Sequence, residues 1–563
     1  MAFSNPSPGS YYRELDLSQR VAQVATSIGA IVGASGKGPI MEPVLITNEA
    51  ELFDIFGKPD SRISYMHYAA LEFLKRSSRL YVTRVVNDNP ARALPLTAGA
   101  FYTVDDRNAL APVPHLNVFD GGGTEAVGLH DPFNTHVFNV NTPGIENVMF
   151  MVCAANPGVW NNKLFVKVRP SLKAGLTEFD DRYDDPYAFW VDVYVDYKSP
   201  RQSPNESFLV KRIQETDGSG NQMFIEEVIN KKSALIRVRN NEFAPNTKVV
   251  APADVYFEGG TNGGYLSFAQ VIRGWDLYKD PEHIDVNILI QGGAPIGMNN
   301  LTDIADIQRA MTELATSRMD AIAVLDIPSS EQQTASAIAY RDGLLNIDSS
   351  YAAIYTPDVK IKDVWNDKEI FVPPSGHVAA AYARTDYEAE TWFAPAGTTR
   401  GSLTILDSRH IYNQGHRDAL TDANVNAIRF FPDGRGHKVW GADTLQTMAS
   451  ALSNINVRRL LNMVEKSIAI AALYSVFEPN DSILRSRIAA MCNEFLEPIK
   501  AKRGLYWYQV VCDETNNPPA VVANGDVALD IYFDPVLPAK RIHLNAYILK
   551  TGANFRESVG ESA

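Results

Sequence analysis

Three hydrophobic patterns divide the chain. From 284 to 390, short apolar runs alternate with stretches whose apolar residues recur every three or four positions. Val286 to Ile290 is mostly apolar and meets Gly292-Gly293, Ala321 to Ile327 stops at Pro328, and Tyr351 to Tyr355 is a third run. The spacing between and after them predicts helices over 302–317, 331–345 and 377–387. Strands apolar on both sides belong to a parallel sheet covered on both faces. Residues 21–95 show the same pattern on a smaller scale. They hold a strand at Ile28 to Val32, helices over Glu49 to Phe56 and Ser64 to Ser77, and a strand over Leu80 to Val86.

In 96–254 the helical period fades. Val148 to Val152, Leu164 to Val168, Phe189 to Val195 and Phe208 to Val210 are β-type runs punctuated by Gly, Pro, Asn and Asp. This segment reads as a β-rich module set into the α/β part, with 97–150 its most dispensable piece. Residues 443–503 return to a helical period. Asp443 with Gln446 three residues on has the form of a capping box, one helix stops before Pro479, and a second spans Ser482 to Leu496.

Both chain ends are extended. Asn5-Pro6-Ser7-Pro8-Gly9 excludes a helix interior, and Ser10 to Leu17 is either a frayed terminus or a strand paired with something else. Near the other end, Val527, Leu529, Ile531 and Phe533 alternate with more polar residues. After Pro535 and Pro538, Ile542, Leu544, Ala546 and Ile548 alternate in the same way. Each has the period of a half-buried antiparallel strand.

Composition narrows the function. The 563 residues are 45% hydrophobic and 21% charged, which suits a multidomain globular chain. A net charge of −14 argues against a general nucleic-acid coat. Cys153, Cys492 and Cys512 form no CxxC pair, so neither a disulfide framework nor a zinc ribbon is expected, and the usage fits a reducing compartment. No secretory signal or membrane-length apolar run is visible, so a soluble protein made in the cytoplasm is expected.

Candidate chemistry is sparse. The loop Gly33 to Gly38 fails the phosphate-binding pattern, because Lys37 is followed by Gly38 and Ile31 stands where glycine is required. His410 and His416 lack a third ligand nearby, and Asp180, Asp181, Asp184 and Asp185 lack EF-hand spacing. Asp326 ends a parallel strand, where α/β enzymes place catalytic carboxylates, but Pro328 beside it favours a strand-end turn. No catalytic residue, cofactor site or metal site is assigned, and an enzyme is not expected.

Ser7-Pro8-Gly9-Ser10-Tyr11, Ser27 to Gly33 and Lys37-Gly38-Pro39 open a series of motifs that continues with Pro43 to Thr47, Phe53 to Gly57 and Trp160-Asn161-Asn162. Further along come Val372 to Ala379, Ala383 to Asp386, Trp392 to Gly397 and Trp440 to Leu445. Asn456 to Leu460, Glu465 to Ile468, Phe477 to Asn480 and Cys512 to Asn517 complete it. In this order they resemble the contractile bacteriophage tail sheath protein family, which is related to the sheaths of phage-like bacteriocins and type VI secretion systems. Ser10 and Asn161 depart from the usual Val and Gly, and 96–150 carries no match.

The resemblance implies an α/β and α+β multidomain fold: a tail-sheath core with a parallel α/β sheet, an inserted β-rich outer domain and strand-donating arms at both ends. The expected layout is an N-terminal arm at 1–20, a discontinuous α/β domain at 21–95 with 255–390, and the insertion at 96–254. A C-terminal α+β core follows at 391–535, then a C-terminal arm at 536–563. The implied function is structural. Subunits stack as hexameric rings around a tail tube in a metastable extended state, then contract and drive the tube through the bacterial envelope for genome delivery. The implied partners are further copies of the chain, the tail tube protein, and baseplate and tail terminator or neck proteins. No nucleic acid or membrane insertion is expected. The place is the virion tail, after assembly in the host cytoplasm.

Strand exchange would then use Tyr11, Tyr12, Arg13, Leu15 and Leu17 at one end. At the other it would use Val527, Leu529, Ile531 and Phe533, with Ile542, Leu544, Ala546 and Ile548. Arg485, Arg487 and Lys500 are candidates to face the tube. The alternatives are the sheath of a phage-like bacteriocin or injection system and, from another class, an α/β nucleotide-binding enzyme. The enzyme reading leans on the glycine turns Gly259 to Gly264 and Gly292-Gly293.

Overall fold

The computed structural model describes residues 21, 23–87, 99–104, 110–113, 148–156, 158–171, 187–216, 220–242, 246, 253–257 and 265–544. The first strand, β1 (Gly29–Gly33), is buried along its whole length. After it come β2 (Pro43–Ile46), α1 (Glu49–Phe56), α2 (Met66–Leu74) and β3 (Leu80–Arg84). The Asn48 side chain accepts the Glu51 N–H at 2.9 Å, and Glu51 accepts the Thr47 N–H at 2.8 Å. Together they satisfy amides that the first turn of α1 leaves without helical partners. β3 lies parallel to β1, and β2 returns antiparallel on its outer side.

The chain then leaves for a module with its own core. Its elements are β4 (Gly99–Val104), β5 (Leu110–Val113), β6 (Val148–Ala154), β7 (Leu164–Pro170) and β8 (Phe189–Val195). They continue with β9 (Glu206–Val210), α3 (Ile225–Lys232), β10 (Ile236–Asn240) and β11 (Ala253–Tyr256). Two four-stranded antiparallel sheets, ordered β10-β6-β4-β5 and β11-β7-β8-β9, pack their apolar sides together. Phe150 and Val152 of the first meet Val166, Val191 and Val193 of the second, with Ile229 of α3 against them. β4 and β5 lie within 97–150, as does the start of β6, and β4 joins the other two. That piece is therefore not dispensable, contrary to the sequence reading: its removal would strip one sheet of half its strands. A tight turn at Val159–Lys163 presses this module against the loop after β1. Gly158, at φ 152°, makes the approach possible, since a Cβ there would lie 2.4 Å from the Gly36 carbonyl oxygen.

Back in the α/β part, α4 (Phe268–Asp276), β12 (Ile288–Ile290), α5 (Leu301–Arg318), β13 (Ile322–Asp326) and α6 (Thr334–Ala339) follow one another. α6 runs on into a π-helical stretch, Tyr340–Leu345, before β14 (Ala352–Thr356). β15 (Val359–Asp363), β16 (Lys368–Val372), α7 (Ser375–Glu388), α8 (Gly397–Arg400) and β17 (Asp407–Ser408) come next. They lead to α9 (Gln414–Asp422), β18 (Val425–Phe431) and β19 (Gly436–Val439). The main sheet has eight strands in the order β19-β18-β14-β13-β12-β1-β3-β2. Its six inner strands are parallel and both edges are antiparallel, so the sheet is mixed rather than purely parallel. The inner strands are apolar on both sides because alternate residues serve two cores. Ala30, Leu289, Ala323 and Ile354 face α4, α5 and α6, whereas Ile31, Ile290, Val324 and Tyr355 face α1, α2 and α7.

β18 and β19 lie in the 391–535 segment that the sequence assigned to the C-terminal domain, yet they complete this sheet. The outer side of β19 is covered: Leu403 donates to the His437 carbonyl at 3.0 Å and Val439 to the Gly401 carbonyl at 2.8 Å. Asp443 does not start a helix. Asn426 takes its N–H at 2.8 Å and donates to its carbonyl at 2.7 Å, while Leu445 drops into the core beside Ala352. The helix begins instead at α10 (Ile455–Ala472). Then come α11 (Ser482–Ala501), β20 (Leu505–Val511), α12 (Pro519–Ala523) and β21 (Asp530–Pro535). Leu460, Met463 and Val464 of α10 pack on Leu484, Ile488, Cys492 and Leu496 of α11. Among the described residues no helix is long and apolar enough to cross a membrane.

The contact between α7 and α2 depends on Gly376, where a Cβ would sit 2.4 Å from Ala69 Cα and 2.6 Å from its Cβ. Gly376→Ala should lower stability by about 1–3 kcal/mol by forcing the helices apart. Gly343→Ala, where an added Cβ meets nothing within 4 Å, should change it by about 0.5 kcal/mol or less. Urea midpoints of the two variants check this, and equal values would mean that the close approach does not matter.

Candidate assembly site

At the strand ends where an α/β enzyme would work, Arg84, Lys37 and Asp326 make structural contacts. Arg84, buried at the end of β3, donates to the Ser35 carbonyl at 2.9 Å and the Gly38 carbonyl at 2.8 Å. It thereby clamps the loop that resembled a phosphate cradle, and burial pulls its guanidinium down to about 9. Lys37 turns away, donating to the Asp54 carbonyl at 2.6 Å and lying over the Trp160 ring. Asp326 accepts the Ser375 N–H at 2.7 Å, the Ser375 hydroxyl at 2.6 Å and the Gly293 N–H at 3.1 Å. Its carboxylate clasps the loop after β12 to the first turn of α7. Among the described residues no group of three or more His, Cys, Asp or Glu is placed to hold a metal. Asp180, Asp181, Asp184 and Asp185, and Gly259 to Gly264, lie outside the described residues.

The C-terminal module offers a different kind of site. β20 and β21 form a two-stranded antiparallel sheet with Val510 opposite Ile531 and Tyr508 opposite Phe533. Val527, Leu529, Ile531 and Phe533 turn one face of it onto the α10–α11 core. The run predicted at Val527 is a strand only from Asp530. Asn517 takes the Ala528 N–H at 2.6 Å and donates to the Ala528 carbonyl at 2.9 Å, which fixes the preceding residues as a latch on the Cys512–Asn517 loop. Among the described residues no third strand pairs with either outer edge of this sheet. A strand edge without a strand partner is where another chain can add one.

A candidate donor lies nearby in sequence. After β21, Val536 donates to the Gly504 carbonyl at 3.1 Å, and Lys540 forms an ion pair with the largely buried Asp443. Beyond that point the chain lies free of the core: Ile542 is 90% exposed and Leu544 91% exposed, and neither belongs to a strand. Ala546 and Ile548 lie outside the described residues, as do Tyr11, Tyr12, Arg13, Leu15 and Leu17.

Of the three basic candidates on α11, Arg487 and Lys500 are exposed, with Lys500 over the Tyr508 ring at 5.7 Å. Arg485 is not. It is 8% exposed and donates to the Asn480 side chain at 2.9 Å, which corrects the expectation that it could face a tube. An element that the sequence reading missed altogether is β20. Its Leu505-Tyr506-Trp507-Tyr508-Gln509-Val510-Val511 run is rich in aromatic and β-branched residues, the signal that could have found it.

Three family models match the chain. Residues 26–85 match the N-terminal region of domain III of the tail sheath protein Gp18, 282–445 the phage tail sheath protein central domain, and 447–548 the phage tail sheath C-terminal domain. The tail sheath protein of Vibrio phage KVP40 is 24% identical, over 98% of this chain and 99% of its own. That of Enterobacteria phage T4 is also 24% identical, with the same coverage. The crystal structure of a sheath tail protein from Listeria innocua superposes with a TM-score of 0.55, covering 92% of this chain and 96% of its own at 11% identity.

Burial pushes the Asp326 carboxyl up to about 7 against the donors around it. Between about pH 4 and pH 7 the folded protein then holds a proton that the unfolded chain has lost, so this group's contribution falls as pH rises through that window. The loss should reach about 4 kcal/mol at most. Asp326→Asn should remove it. Urea unfolding of both proteins at about pH 5 and pH 8 checks this, and parallel pH dependence would refute it.

Proposed function

The chain belongs to the phage tail sheath protein family, and on that premise we propose that it is the structural subunit of a contractile tail sheath. Subunits polymerise as stacked hexameric rings around the tail tube in a metastable extended form. Shortening of the lattice drives the tube through the bacterial envelope for genome delivery. Residues 1–20 and 536–563 act as arms that donate strands to neighbouring copies. The observation that carries this reading is that Ile542 and Leu544, the first two apolar positions of an alternating sequence, stand exposed just after a sheet of only two strands. An alternating apolar strand without a partner is a liability in a monomer and a connector in a polymer.

The energetics suit the task. Each added main-chain hydrogen bond contributes about 0.5–1.5 kcal/mol net, so a strand of about five bonds holds a joint at a few kcal/mol. Such joints allow neighbouring copies to turn without letting go, and repetition through the lattice multiplies their effect. The tube contact has to be weaker and polar because the sheath releases it, and Arg487 and Lys500 are the basic side chains of α11 that remain exposed to make it. Baseplate and tail terminator proteins are the partners at the two ends of the lattice. The subunit performs no covalent chemistry, its free energy being held in assembly, and its place is the virion tail after assembly in the host cytoplasm.

Deleting residues 1–17, or placing proline at Leu544, should leave the subunit folded and stop it from forming a connected polymer. Proline removes a main-chain donor and fixes φ, which breaks an interior ladder position. Thermal unfolding beside electron microscopy of the same sample reads the outcome. Unchanged melting without tubes is expected. Normal tubes would refute arm exchange, and a collapsed melting temperature would place the strand in the subunit's own core.

A further inference from the structure

The segment that leads from the N-terminal arm into β1 does not hang freely. Val21 and Val24 pack on the α10–α11 core. Val24 donates its N–H to the Ser467 hydroxyl of α10 at 3.3 Å. Two residues on, the Thr26 and Ser27 hydroxyls donate to the same oxygen of Asp386, near the end of α7, at 2.9 and 2.7 Å. Arg459 of α10 donates to that oxygen too, at 2.6 Å, and both members of this ion pair are almost wholly buried. Thr391 donates to the Thr26 hydroxyl at 3.1 Å, and Ser77 to the Ser27 carbonyl at 2.6 Å. The strand ladder begins at Ser27's second neighbour, Gly29.

Ser467 and Arg459 are eight residues apart on α10, roughly 12 Å along its axis. Residues 24–27 therefore run beside that helix against its direction, tied near each end. A carboxylate held by a guanidinium and two hydroxyls has little freedom, and charge-assisted hydrogen bonds are the stronger and more directional kind. The Asp386–Arg459 pair alone would join α7 to α10. The two hydroxyls bring a third segment into that joint. What they fix is the path of the arm's root.

We propose that Asp386 is a positioning residue for assembly: by holding Thr26 and Ser27 it sets the direction in which the N-terminal arm leaves the subunit. The inference rests on the strand-exchange reading above and deepens it. A strand that must reach a neighbour's sheet searches a smaller volume when its root is fixed, so less ordering is left to be done on binding. Without the tie, the same arm has the same pairing groups but a lower effective concentration at its target.

The test uses the full chain with Thr26→Val and Ser27→Ala combined, which removes both hydroxyls and leaves the Asp386–Arg459 pair in place. Melting should fall modestly and stay cooperative, since the buried Asp386 carboxylate loses two donors and keeps Arg459, while the critical concentration for polymerisation, read by sedimentation, should rise about tenfold, equivalent to about 1.4 kcal/mol per joint. The hydroxyl-keeping exchange, Thr26→Ser with Ser27→Thr, should polymerise normally. An unchanged critical concentration in the first variant overturns the proposal. So does a rise of equal size in the hydroxyl-keeping exchange, or a collapse in melting, which would make these hydroxyls part of the subunit's own core. Deletion of 1–17 separates the two readings. If that deletion polymerises normally, strand exchange itself fails, whereas loss in the deletion beside normal polymers in the hydroxyl-free variant sinks only the anchor.

Discussion

The seam between the α/β sheet and the C-terminal helix pair is made by buried charge, and the placing of everything attached to α10 depends on it. Lys466 of α10 reaches Asp285 at 2.5 Å and Asp320 at 2.7 Å, just before β12 and β13. Arg318, at the end of α5, holds Asp320 from the other side at 2.9 Å and donates to the Tyr278 carbonyl at 2.5 Å. Asn462 donates to the Ala321 carbonyl at 3.1 Å. Apolar surfaces tolerate sliding, but such pairs have one good geometry. Breaking one member of a buried pair typically costs about 3–5 kcal/mol, because the other is left uncompensated. α10 is thus locked to the sheet, α11 and the β20–β21 hairpin follow α10, and residues 24–27 are tied to α10 and α7 beside this lock.

The parts legible in the sequence are those where local pattern and tertiary role agree. Ile322–Asp326 and Ala352–Thr356 are apolar on both sides because each is covered on both sides, and α1 carries its own start and stop signals at Asn48 and Gly57. β18 escaped because Asn426 and Arg429 interrupt its apolar run. Asn426 is buried to hold residue 443, and Arg429 leaves the sheet to lie over the Phe431 and Trp440 rings. Neither use shows in a periodicity. Asp443 and Gln446 imitate a helix start, yet long-range bonds to Asn426 and Ala352 claim the backbone first.

The candidate site divides along the same line. The alternation at Ile542 and Leu544 was visible because it is local, and both side chains are exposed. Arg485 misled because charge on an amphipathic helix ordinarily marks its wet face. Here Asn480, before the helix begins, folds back to receive it. The meeting of Thr26, Ser27, Asp386 and Arg459 joins residues more than 350 positions apart in the chain. No spacing rule could bring them together, although Ser27, Asp386 and Arg459 each stand in a motif that carries the family resemblance.

The covered edge of β19 bears on fidelity. On the proposed strand exchange, donated strands must not settle on the largest sheet, for an eight-stranded platform with a bare edge would compete with the β20–β21 hairpin and trap subunits in branched aggregates. The Gly401–Leu403 segment already occupies β19's outer hydrogen-bonding positions. At the opposite margin β2 opens with Pro43, which has no N–H to offer. On that proposal, both margins of the large sheet are poor landing places for a stray strand, which would favour linear over branched growth.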